Sequence, residues 1–73
     1  MTAMGKIVLE GWNPGLNKVA LNHFLRGRFG QSLGAAKRVV DDLLENQLIE
    51  LAVPDAEMND IKLALEAIGV RVA

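Results

Sequence analysis

Residues Asn17 to Asp41, NKVALNHFLRGRFGQSLGAAKRVVD, hold the pattern that decides the fold. Asn17 can accept a hydrogen bond from an orphan backbone N–H and so predicts the start of a helix running to about Phe29. Gly30 ends it, because glycine enters the left-handed conformation at no steric cost. Ser32 then caps a second helix, from Leu33 to about Glu45. Its apolar stripe is Leu33, Ala36, Val39, Val40, Leu43 and Leu44, at helical spacing. Two helices meeting at a glycine corner form the centre of the domain.

Upstream, the β-branched run Lys6-Ile7-Val8-Leu9-Glu10 predicts a strand ending at Gly11. Trp12-Asn13-Pro14-Gly15 follows as a turn. Downstream, Leu48 to Val53 predicts a second strand stopped by Pro54. Asp55 is expected to cap a third helix that buries Met58, Ile61, Ala64, Leu65 and Ile68. Gly69 stops that helix, and Val70-Arg71-Val72 is a short last strand. The order β-α-α-β-α-β predicts a two-layer α+β domain, a three-stranded sheet with three helices on one face. It occupies residues 1–73 as one unit, with its core over about 6–72 and no repeat, linker or low-complexity segment.

A chain of 73 residues excludes water from only about 60% of its unfolded surface, which favours a binding module over an enclosed substrate pocket. The absence of cysteine removes disulfides and thiolate metal sites and fits a cytoplasmic home. No apolar run approaches the roughly 20 residues that span a bilayer, so no membrane association is expected. The start, Met1 to Lys6, lacks the apolar core and cleavage site of a secretion signal.

The net charge of −1 conceals a segregation. Between Gly11 and Val40 the charged residues are Lys18, Arg26, Arg28, Lys37 and Arg38, all basic. From Asp41 onward, eight carboxylates face only Lys62 and Arg71. Such asymmetry steers the encounter with a charged partner. On a wheel of about 100° per residue, Leu16, Ala20, Leu21, Phe24, Leu25 and Phe29 sweep one core-facing arc of the first helix. The opposite arc holds Val19, Asn22, His23 and Arg26. An apolar residue inside a charged rim is the composition of a contact patch.

No catalytic set is legible, so the chain is expected not to be an enzyme. His23 has no second histidine or cysteine to share a metal, and no cofactor is expected. Ser32 is accounted for as a cap, and Asp41 and Asp42 as surface partners of Lys37 and Arg38 four residues earlier.

The run Asn17-Lys18-Val19-Ala20, Arg26-Gly27, Gly30 and Leu33-Gly34-Ala35-Ala36-Lys37 resembles the C-terminal domain of the bacterial ribosomal stalk protein seven/twelve. The tail from Ala64 to Val72 is similar to that family's closing helix and strand. The resemblance spans Lys6 to Val72, with a two-residue insertion between Lys37 and the second strand. It implies recruitment of translational GTPases through the first two helices. Carried over by position, the implied contact residues are Lys18, Val19, Ala20, Leu21, Arg26, Gly27 and Lys37. Asn22 and His23 complete the patch, although the family has an isoleucine and a lysine there, and Gly34 stands at a basic position. The family's N-terminal dimerisation domain and hinge have no counterpart in these residues, so the expectation is a free-standing relative.

Two alternatives are set beside this reading. Trp12 next to Asn13-Pro14 is similar in topology to the Clp protease adaptor family, whose acidic turn and histidine pocket are missing here. Nucleic-acid binding would use the basic stretch, but the acidic half and the scarcity of aromatic residues argue against it. Leu63, near Ala56 and Ala67 on the outer side of the third helix, offers a point for homodimer formation.

Overall fold

The computed structural model describes residues 3 to 73. Met1 and Thr2, included above in the domain and in the start without a signal segment, lie outside them. The elements are β1 (Met4–Trp12), α1 (Lys18–Phe29), α2 (Leu33–Leu44), β2 (Ile49–Pro54), α3 (Met58–Ile68) and β3 (Val70–Val72). Their order is the expected β-α-α-β-α-β. The antiparallel sheet runs β2-β1-β3, with the longest strand in the middle. Among the described residues no helix is long and apolar enough to cross a membrane.

The two-residue period of the strands decides which face is covered. Ile7, Leu9, Leu51, Val53 and Val70 are buried, while Lys6, Glu10, Glu50, Ala52 and Arg71 between them are exposed. α2 and α3 lie against the sheet, and α1 packs chiefly on those two helices. Leu21 and Leu25 of α1, Leu43 of α2 and Leu65 of α3 are fully buried between these layers. Each such leucine contributes about 2–3 kcal/mol of transfer free energy.

The alternation in β1 breaks once. Leu9 pairs with Val72, Gly11 with Arg71 and Trp12 with Val70, so Glu10 is an extra residue in the strand. A bulge of this kind exchanges the two faces beyond it. Trp12 therefore joins the core face beside Val70. Gly11 shares the opposite face with Arg71, whose guanidinium occupies the space a Cβ would need. This corrects the expectation that Trp12 belongs to a turn: β1 extends from Met4 to Trp12, beyond the 6–10 read from the sequence.

Three further expectations are revised. β2 begins at Ile49, and Leu48 is 72% exposed. Asp55 makes no side-chain cap; it opens a single 3₁₀ turn, Asp55–Glu57, and its N–H donates to the Ala3 carbonyl at 3.0 Å. That bond continues the β1–β2 pairing by one residue, and α3 itself starts only at Met58, after the 3₁₀ turn. Leu33, assigned to the α2 stripe, is 60% exposed because nothing covers the first turn of that helix.

The caps on either side of the corner form as expected. Asn17 Oδ1 accepts from the Ala20 N–H at 3.0 Å, and Ser32 Oγ from the Ala35 N–H at 3.1 Å. Gly30 adopts φ 64°, and its N–H donates to the Leu25 carbonyl. At the far end of α2, Asn46 takes a left-handed φ of 62°. There Asn46 and Gln47 donate to the Leu43 and Asp42 carbonyls, which closes the last turn. Asn17→Ala should cost about 1 kcal/mol of folding stability. A shift in the urea midpoint with unchanged slope checks this.

Candidate functional site

The Asn17 cap sets the first turn of α1, so Lys18, Val19 and Asn22 share one side of it. The Ser32 cap sets α2, whose 3.6-residue repeat places Lys37 and Val40 together. Packing of α1 on α2 brings the two groups face to face. Lys18, Val19, Asn22, Lys37 and Val40 line an open groove of about 270 Å³. Val40, only 6% exposed, belongs to its floor, whereas Val19 stands 67% exposed at its edge. Among the described residues no carboxylate lines the groove.

Four of the nine sequence-derived contact residues therefore meet: Lys18, Val19, Asn22 and Lys37. Arg26, His23 and Gly27 are exposed on α1 but do not line the groove. Arg26 lies one helical turn beyond Asn22, as the exposed Leu33 lies one turn before Lys37. Ala20 is half-buried. Leu21 is fully buried, so its assignment to partner contact is corrected: at this position the side chain serves the core.

Val40 belongs to the apolar stripe of α2, and its place on the floor of the groove is not legible in the sequence. A residue at the boundary of a helical stripe is floor or core according to how close the neighbouring helix comes. Trp12 remains away from the groove. It is half-buried against the core, and its Nε1 is buried without a hydrogen-bond partner among the described residues.

The charge beside the groove is positive, from Lys18 and Lys37. The expected helix pairs Lys37–Asp41 and Arg38–Asp42 do not close. Among the described residues the ion pairs are Lys6–Glu50 at 3.4 Å and Arg28–Glu57 at 2.8 Å. Arg28 is thus engaged with the 3₁₀ turn before α3, while Lys18, Arg26 and Lys37 keep their charge unpaired. Gly27 and Gly34 add a second property. A Cβ at either would meet nothing within 4 Å, so packing within the chain does not demand glycine there. A glycine inside a helix costs about 0.5–1 kcal/mol relative to alanine. What these positions provide is bare backbone beside a cationic surface.

Among the described residues no group of three or more His, Cys, Asp or Glu side chains is placed to hold a metal ion. Comparison with family models, with curated proteins and with solved structures finds no match for this chain.

Proposed function

We propose that this chain is a non-catalytic protein-interaction module whose α1–α2 groove receives an acidic segment of a partner protein. The observation that carries the reading is the junction of Lys18 and Lys37 across a groove built on Val19 and Val40 with no lining carboxylate. Apolar contact at the centre supplies affinity, and the flanking ammonium groups supply steering and charge-assisted hydrogen bonds. Arg26, outside the groove, extends the positive field along α1. The resemblance of residues 17–41 to the ribosomal stalk domain adds a partner class: a translational GTPase, met in the cytoplasm.

The test is titration of a purified bacterial translational GTPase into the wild-type chain and into Lys37→Glu, followed by calorimetry. The variant should bind at least about tenfold more weakly, equivalent to roughly 1.4 kcal/mol. Its thermal midpoint should stay put, because the Lys37 side chain is exposed and makes no ion pair. Gly27→Ala should act with opposite signs, raising stability by about 0.5–1 kcal/mol while weakening binding. Unchanged affinity in Lys37→Glu would remove the groove from the mechanism, and unchanged affinity in Gly27→Ala would confine the contact to the groove. Binding to a Clp-type unfoldase in place of the GTPase would move the function to the adaptor class.

A further inference from the structure

Among the described residues β2 has one neighbour in the sheet, β1, and its outer side meets no strand. Along a strand, successive residues direct their N–H and C=O groups to alternate sides. The Asp55 N–H, bonded to the Ala3 carbonyl at 3.0 Å, points toward β1. Counting back by twos, Val53, Leu51 and Ile49 use their main-chain groups on β1, and those of Ala52 and Glu50 point outward. Among the described residues no main-chain bond from a loop or helix reaches either of them, and both are exposed. α2 lies chiefly over β1 and covers β2 less. Described chain both precedes and follows the strand, so this bare edge belongs to the interior of the sequence.

Sheet edges are ordinarily protected by short length, a basic side chain or a bulge. β3, the other outer strand, has all three: it is three residues long, carries exposed Arg71 at its centre and lies against the bulge at Glu10. β2 has six residues, no basic side chain and an unbroken register, with only Pro54 at its end. Directly before it stands Leu48, at 72% the most exposed large apolar side chain among the described residues.

We propose that a second copy of this chain occupies the edge, pairing β2 with β2 antiparallel about a two-fold axis at Leu51 and joining the two sheets into one. In this register Glu50 faces Ala52 of the second copy, and each such facing pair exchanges both N–H···O=C bonds. Ile49, half-buried in one copy, meets Val53 of the other on the helix-covered side. Leu48 comes opposite Pro54, whose missing N–H is tolerated at the end of a ladder. Charge selects both the occupant and the register. Glu50 already has a counter-ion in Lys6 at 3.4 Å, so the edge carries no net charge to repel its own copy or to attract a charged peptide. Sliding the second copy by two residues one way sets Glu50 against Glu50, a like-charge pair that opposes association. Sliding it the other way sets Ala52 against Ala52 and leaves Leu48 beyond the end of the facing strand. The site lies on the sheet, apart from the α1–α2 groove, and stands independently of the function proposed above.

Sedimentation equilibrium from micromolar to millimolar chain tests the association, and amide hydrogen exchange at both ends of that range locates it. The apparent mass should rise from one chain to two. Protection at Glu50 and Ala52 should appear with concentration, while Leu51 and Val53 are protected throughout by β1. Ala52→Glu sets a glutamate against Glu50 of the second copy and should weaken dimerisation at least about tenfold. Adding Glu50→Lys puts opposite charges at the facing positions again and should restore it. Both side chains are exposed, so these variants should keep the amide spectrum of the fold. The exchange pattern of the unaltered chain is a test that needs neither of them. A monomer at every concentration would overturn the proposal, as would a dimer indifferent to Ala52→Glu. A dimer lost only through Leu63→Glu would move the interface to α3 and overturn it too. So would equal protection of Glu50 and Ala52 at all concentrations, which would mark the edge as covered within one chain.

Discussion

Gly69→Ala is expected to lower folding stability by about 3 kcal/mol. Gly69 sits at φ 112°, where an L side chain is strained, a cost of about 1–2 kcal/mol by itself. An added Cβ would also lie 2.9 Å from Leu16 Cα. That contact is with backbone, so no side-chain rotation relieves it. Relief requires the α3–β3 corner to move from the β1–α1 turn, and two hydrogen bonds hold them together. Asn13 N–H donates to the Gly69 carbonyl at 2.8 Å, and Asn17 N–H to the Ile68 carbonyl at 3.1 Å. Each is worth about 0.5–1.5 kcal/mol. A chain of this length has a total stability of about 4–11 kcal/mol, so the variant would lose a large share of it. Gly30→Ala is the internal control: φ is 64°, and nothing lies within 4 Å of the added carbon. It should cost about 1 kcal/mol. Chemical denaturation of both variants separates the close approach from the backbone strain. Equal losses would show that the contact with Leu16 contributes nothing.

Leu21→Ala should be the second severe change, costing about 3–4 kcal/mol. Leu21 is 0% exposed, and the closely packed interior around it collapses only partly into the space left behind. The contrast with its neighbour is the informative part. Val19→Ala, at 67% exposure, should change stability by less than about 0.5 kcal/mol. Its effect should fall on partner binding. If Leu21→Ala leaves the denaturation midpoint in place and affects binding alone, the placement of α1 is wrong. If Val19→Ala destabilises as much as Leu21→Ala, the groove is core.

Placing Leu21 and Val19 from sequence shows how far the pattern of a helix reaches. The wheel separated Val19, Asn22 and Arg26 from Leu21 and Leu25 correctly, because 100° per residue is a property of the backbone. It left open which arc residues meet another element. Ala20 and Leu21 lie 100° apart, and only the approach of the neighbouring helices makes one half-buried and the other fully buried. Leu33 shows the same limit at the end of an element: it keeps the stripe's spacing after the covering layer has stopped. Lys18 and Lys37, far apart in sequence, share a groove through the rotation of α1 against α2. No local signal specifies that rotation.

The amino-acid sequence by itself determined the elements, their order and the caps at Asn17, Gly30, Ser32 and Gly69. These are interactions between residues three to five apart, or conformational preferences of single residues, and they act before any packing exists. Only the tertiary structure decided the strand order, the bulge at Glu10 that turns Trp12 into the core, and the meeting of Lys18 with Lys37. It also decided that Asp55 continues a ladder instead of capping a helix. Each of these depends on how one element's side chains fill the space left by another. That fit is fixed by volume and distance across the core, which neighbours along the chain do not encode.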